Sequence, residues 1–283
     1  MRGGVYLYGG FSTTYDQCSD NLFIFKQSDS NRECVLVAGT KTRQESGWSD
    51  EELKCFRARV QTGQLPGQRC GHGLYNIGEN MVVLGGHYKE RSNELLHSHN
   101  WKYKMCARGV YLFDSSTDSW KAFKIEGNPD ILVRSCFSST SLGDKIIVCG
   151  GSVYTEEKKV TKLSVMEVCI INVQTSRLKA TVLTKIVKMN LPYGFSPNIA
   201  GATMVPFNNQ LLLMGGNNAN DRPGLIKRNS KLIILDLETE TGFLQEPPMS
   251  LCKKIMMFGG SCHPWSEHTV IFLGGSLPIP GSK

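Results

Sequence analysis

Basic side chains in this sequence gather in a few polar stretches. Lys89, Arg91, Lys102, Lys104 and Arg108 fall close together with only Glu90 and Glu94 among them, and Trp101 and Tyr103 are interleaved. Lys158, Lys159 and Lys162 form a second group, and Arg222, Lys227, Arg228 and Lys231 a third, while Arg32 lies in a short polar stretch nearer the start. Between Glu167 and Asp221 there is no acid at all, yet Arg177, Lys179, Lys185 and Lys188 occur there. Clustered cations on a chain of net charge +7 suit a phosphate backbone, which they bind by neutralising charge and releasing counterions. Such contacts position a duplex without reading its bases. Ordinary solvated loops have the same composition. Trp101, Tyr103 and His99 in the first group suit a protein partner, because exposed aromatics among charges make interface anchors. An aromatic there also serves equally well as the loop's own packing core.

Other chemistry finds no constellation. The paired acids Glu51-Glu52 and Glu156-Glu157 lie in hydrophilic stretches, where charge is simply solvated. His97, His99 and Cys106 offer zinc ligands, but H-x-H-x6-C is not finger spacing and a fourth ligand is missing. Cys262-His263 with His268 is weaker still. A copper-radical propeller site would need a Tyr–Cys pair and two converging histidines, and five of the six histidines (His87, His97, His99, His263, His268) fall in inserts or at strand ends. No catalytic residue, metal or cofactor is expected. Ten cysteines are spread singly with no CxxC pair, which reads as small buried hydrophobes in a reducing compartment.

The elements that must position these residues are strands. GHGLYNIGENMVVLGG is an alternating apolar strand, then the run Met81–Leu84 closed by Gly85-Gly86; after a polar insert come Val110–Phe113, a Ser/Asp turn and Trp120. Four such strands, with a glycine pair closing the second and an aromatic opening the fourth, resemble a kelch repeat, one blade of a β-propeller. The pattern recurs. Val5–Tyr8, Asn21–Phe25 and Cys34–Ala38 supply second, third and fourth strands; Arg134–Leu142, Lys145–Cys149, Glu167–Val173 and Leu178–Leu183 a full set; Ile199–Pro206, Gln210–Met214, Lys231–Leu237 and Gly242–Gln245 another. Lys254–Gly259 and His268–Leu273 begin a fifth, with Gly259-Gly260 ending its first strand. Glycine pairs begin at Gly9, Gly85, Gly150, Gly215 and Gly274, in steps of 76, 65, 65 and 59 residues, longer than the ~50-residue kelch period because of loops after each pair. The expected fold is all-β, a six-bladed kelch-type propeller forming one domain, with blades near residues 1–60, 68–127, 131–185, 197–247 and 252–283. The chain opens and closes on a second strand, which predicts incomplete terminal blades and a fragment of a longer protein. Second-to-third-strand loops share one face of a propeller, so the basic groups are expected to form one positive rim. No run of eighteen apolar residues argues for a membrane span, and MRGGVYLYGG goes straight into a strand with no signal-peptide core.

GQLPGQRCGHGLYNI, a glycine-pair strand, an insert containing SNELLHSHNWKYKMC, and then VYLFD resemble the second subunit of the recombination-activating (RAG) recombinase family. That family's kelch-like propeller carries a Trp-containing insertion at this place, after an x-P-x-x-R-x-G-H approach. VYLYGGFSTTYDQCSDNLFIFKQSDSNRECVLVAG is similar to its preceding blade, Gly194–Glu240 to a later one with Lys227-Arg228 standing where the family has a Lys-Arg pair, and HTVIFLGGSLPIPG to its last recognisable strand. The family's first blade is absent, as is the Cys/His-rich plant homeodomain finger of vertebrate members, so a transposon-type relative is the better likeness and histone-tail reading is not implied. The resemblance implies a non-catalytic accessory chain in the nucleus. It would bind a catalytic first subunit, with two copies of each, and touch the double-stranded DNA backbone through Arg32, Lys89, Arg91, Lys102, Lys104, Arg108, Lys158, Lys159, Lys227 and Arg228. The alternative is a kelch adaptor presenting substrates to a ubiquitin ligase, a class that carries BTB and BACK domains upstream.

Overall fold

A computed structural model describes residues 4–12, 17–20, 22–27, 32–38, 59–60, 62–91, 101–105, 108–152, 166–190, 199–219, 226–248, 259–266 and 269–275. The fold is all-β. Among the described residues the only helical turns are two short 3-10 segments, Pro129–Val133 and Thr175–Arg177, and no helix is long and apolar enough to cross a membrane.

The strands form successive antiparallel meanders. In the first, β1 (Gly4–Tyr8) is followed by a small hairpin of β2 (Phe11–Ser12) and β3 (Gln17–Cys18), and then by β4 (Leu22–Gln27), β5 (Arg32–Ala38) and the short β6 (Arg59–Val60), with sheet order β1-β4-β5-β6. The next begins with β7 (Thr62–Gly63), β8 (Gly73–Ile77) and β9 (Asn80–Leu84). A separate ribbon of β10 (His87–Arg91) and β11 (Trp101–Met105) interrupts it before β12 (Val110–Asp114) and β13 (Ser119–Ala122) complete the order β7-β13-β12-β9-β8. β14 (Lys124–Gly127) then leads to β15 (Ser138–Leu142), β16 (Lys145–Cys149), β17 (Met166–Gln174) and β18 (Lys179–Met189). These continue into β19 (Ile199–Phe207), β20 (Gln210–Ala219), β21 (Ile226–Arg228), β22 (Leu232–Asp236) and β23 (Thr241–Gln245). The path β15-β16-β17-β18-β23-β22-β20-β19 is barrel-like, its end strands β15 and β19 lying side by side. A last hairpin pairs β24 (Ser261–Ser266) with β25 (Thr269–Leu273).

Contact clustering resolves two compact units. The first holds β1 to β14 and the hairpin tip Val173–Ala180, and the second holds the remaining strands. In the first, Tyr8, Leu22, Met81, Val83, Phe113 and Trp120 form the core, with the Trp120 ring centroid 5.0 Å from Tyr8 and 5.1 Å from Phe113. The second buries Ile147, Cys149, Met166, Val168, Ile199, Met204, Leu213, Ile233 and Leu235 together. Met81–Leu84 and Ile146–Cys149 are buried on every side chain, which is why these second strands read as unbroken apolar runs instead of alternating ones.

One device repeats at the glycine pairs. Arg69 Nη1 donates to Gly85 O at 2.8 Å, and Arg134 Nη1 to Gly150 O at 3.4 Å, sixteen residues apart in both cases. The following residues then bridge across the strand: Cys70 with His87, and Ser135 with Ser152. The second glycine of each pair must be glycine. A Cβ on Gly86 (φ +95) would lie 2.9 Å from Cys70 O, and one on Gly151 (φ +87) 2.9 Å from Ser135 O, in a backbone region that side chains disfavour. Burying a guanidinium is tolerable only where its donors are used. Arg69 also reaches Pro66 O and lies over the Tyr111 ring, and Arg134 pairs with Glu167.

The structure departs from the sequence reading at several ends. β20 does not stop at Met214. It bends through Gly215-Gly216 (φ +72 and +80) and continues to Ala219, because β21 pairs with the extension. β18 runs on to Met189 instead of ending near Leu183, since Lys188 and Met189 pair in parallel with Thr241 and Gly242 of β23. β15 begins at Ser138, the stretch from Arg134 being held by the single Ser135–Ser152 bridge. Gly259-Gly260 immediately precedes β24; the strand expected over 254–259 falls on positions 254–258, which lie outside the described residues.

Candidate nucleic-acid interface

The insert after Gly86 begins and ends as a β-ribbon. In the β10–β11 register Tyr88 stands opposite Lys104, Lys89 opposite Tyr103, Glu90 opposite Lys102 and Arg91 opposite Trp101. Six of the singled-out cations and aromatics, Lys89, Arg91, Trp101, Lys102, Tyr103 and Lys104, are thereby set in paired rows on two strands rooted at the glycine pair. Trp101–Met105 alternates apolar and basic residues, but the polar composition of the insert argued for a loop. Backbone pairing with β-branch-poor residues overrides that composition when a strand already emerges from a sheet. Lys104 is exposed. His99 lies outside the described residues, as do Lys158 and Lys159.

A shorter version occurs beyond the glycine pair at Gly215. There β21 carries Lys227 opposite Asn218 and Arg228 opposite Asn217, and Asn229 secures its end by donating from Nδ2 to Gly215 O at 3.1 Å. Both ribbons thus prolong a second strand past its glycines. Arg32 opens β5, opposite Gln27.

Several cations are committed elsewhere. Arg108, exposed, pairs with Asp130 at 3.3 Å, so it contributes less net charge than its position suggested. The acid-free span after Glu167 is acid-free in sequence only. Lys179 pairs with Glu126 at 2.8 Å, and Lys185 with Glu240 at 3.0 Å while also donating to Leu237 O. Lys231 pairs with Glu246 at 2.6 Å and Lys121 with Asp114 at 3.0 Å. The Asp114 carboxyl is held well below its ordinary range by the Ser116 hydroxyl first and Lys121 second. The acids facing Lys179 and Lys185, Glu126 and Glu240, lie more than fifty residues from them in sequence, and no local composition window finds them. Among the described residues, Lys89, Arg91, Lys102, Lys104, Lys227 and Arg228 lie on the two ribbons, and Lys188 is exposed on β18.

The described residues hold no cluster of three or more His, Cys, Asp or Glu arranged for a metal. No family model matches the chain and no curated protein is significantly similar to it.

Proposed function

We propose that this chain is a kelch-type propeller, six-bladed in the complete ring, that serves as the non-catalytic accessory subunit of a RAG-like DNA transposase or recombinase. Recurrent four-stranded meanders with an arginine-clamped glycine pair support the propeller reading. The functional reading is carried by one observation: the β10–β11 ribbon places Lys89, Arg91, Lys102 and Lys104 on two paired strands at the root of a meander, with no acid but Glu90 on those strands. A ribbon of that composition suits the phosphate backbone of a duplex. β21 with Lys227 and Arg228 would add a second such contact. Sequence recognition and strand cleavage belong, on this reading, to a catalytic partner in the nucleus, assembled two and two with this chain. Trp101, Tyr103 and His99 are then the side chains to engage that partner. The accessory chain acts by adding charge to the synaptic complex and ordering the partner, with no chemistry of its own.

The test is co-purification with a RAG-like catalytic subunit, followed by strand transfer with and without this chain. A stable complex is expected, with activity falling at least about tenfold when Lys102→Glu and Lys104→Glu are combined, in line with two lost charge-assisted contacts. No complex, and a partner equally active alone, would leave only a generic kelch interaction module.

A further inference from the structure

One cluster of reactive side chains is used neither by the strand pairing nor by the DNA reading. Cys18, the last residue of β3, and Cys70 have their Sγ atoms 3.1 Å apart although 52 residues separate them in sequence. His87 Nε2 stands 3.2 Å from Cys70 Sγ. Cys18 is 1% exposed and Cys70 9%. The backbone fixes all three. Cys70 and His87 exchange both hydrogen bonds of an antiparallel bridge, at 2.8 and 3.0 Å, and Arg69 N donates to Ser19 O at 3.1 Å, one residue along from each cysteine.

The fold does not demand sulfur or imidazole here. In the next meander the same bridge is made by Ser135 and Ser152. The other described thiols have ordinary packing roles. Cys149 lies against Met166 Sδ and burial pushes it up to about 12, and Cys169 sits by the Thr184 hydroxyl, likewise raised by burial. His87 is lowered to about 4 by burial, so its ring stays neutral near pH 7 and can share a hydrogen bond with the Cys70 thiol.

We propose that Cys18 and Cys70 form a reversible redox pair, oxidised to a disulfide by a peroxide, with neutral His87 holding the Cys70 thiol in place. Cys70 sulfur attacks one peroxide oxygen. The O–O bond breaks, Cys70 becomes a sulfenic acid, and the departing hydroxide takes the Cys70 proton as water. Cys18 sulfur then attacks Cys70 sulfur, the S–O bond breaks, and the hydroxyl leaves as a second water with the Cys18 proton. Two thiols and one hydrogen peroxide give one disulfide and two waters. Bonding requires the sulfurs to close from 3.1 Å to about 2.05 Å. A small oxidant suits sulfurs this buried, and Cys70 is the more accessible of the two. The bond would staple the β2–β3 hairpin to the root of the β10–β11 ribbon.

The full chain, purified reduced and desalted, is exposed to graded hydrogen peroxide, alkylated, and digested without reductant for mass spectrometry. Linked peptides joining Cys18 and Cys70 should accumulate before Cys149 or Cys169 is modified, and vanish with dithiothreitol. His87→Gln should reach the same final yield, because the two sulfurs alone make the bond. In Cys18→Ser, Cys70 should stop at a sulfenic acid that dimedone traps. The mapping of the unsubstituted chain depends on no variant folding. Absence of the linked peptide overturns the proposal, whether Cys70 stays a thiol, proceeds to sulfinic acid, or is protected with Cys18 by one co-purifying zinc ion per chain.

Discussion

Two histidines in the first unit are held neutral by their surroundings. His72 is lowered to about 4, by burial first and the Arg69 charge second, against a hydrogen bond with the Tyr8 backbone; His87 is lowered to about 4 by burial. The unfolded chain protonates both near 6.5, whereas the native chain does not, so between about pH 6.5 and 4 the unfolded state binds more protons and stability falls with pH. Integrated from pH 7 to 5, each contributes a loss of at most about 2 kcal/mol. The carboxylates lowered by their partners, among them Asp114, Glu126 and Asp236, lose their contribution only as pH falls through the acid range below that window. Urea midpoints at pH 7 and 5 should therefore separate clearly, and His72→Gln should remove about half the pH dependence whatever it does to absolute stability. A midpoint flat across this window would show that these rings are solvated. None of this was legible in the sequence. His72 and His87 lie among glycines and apolar residues, but what buries them is a strand bridge and an arginine clamp made at long range.

At the scale of the element, the step of 65 residues between glycine pairs turns out to be a conformational register. Gly71, Cys136 and Gly201 are spaced by that same step, and all have positive φ, +62, +53 and +70. Cys136 is the one member with a Cβ, in the left-handed region that costs an L-residue about 1–2 kcal/mol. Cys136→Gly should thus be neutral or stabilising by up to about 1 kcal/mol, even though a partly buried side chain is lost. The reverse change in the sister position, Gly201→Cys, should cost about 1–2 kcal/mol. Paired urea titrations of the two variants measure this. Equal destabilisation by both would show that the Cys136 thiol packs better than its backbone suits it. Strand existence was readable from the apolar runs, since Met81–Leu84 and Ile146–Cys149 need burial on both faces. Strand ends were not. β18 and β20 were extended by partners, β23 and β21, that no local pattern announces.

For the whole molecule, a net charge of +7 overstates what is available to a polyanion, because Arg108, Lys121, Lys179, Lys185 and Lys231 each face a carboxylate. If the ribbons make the contact, salt dependence should count them. Each neutralised phosphate contributes about −0.9 to the slope of log affinity against log salt. Adding this chain to a RAG-like catalytic subunit should then steepen the slope on a non-specific duplex by about 4 to 5, corresponding to Lys89, Arg91, Lys102 and Lys104 with or without Lys227 and Arg228. Lys102→Glu with Lys104→Glu should take back about 2 of that, whereas Lys179→Glu, whose partner is Glu126 at 2.8 Å, should leave the slope unchanged. Equal effects from the two substitutions would mean that the chain acts through its overall field and not through the β10–β11 ribbon. In that case the placement of cations on the β10–β11 strands would have no bearing on binding.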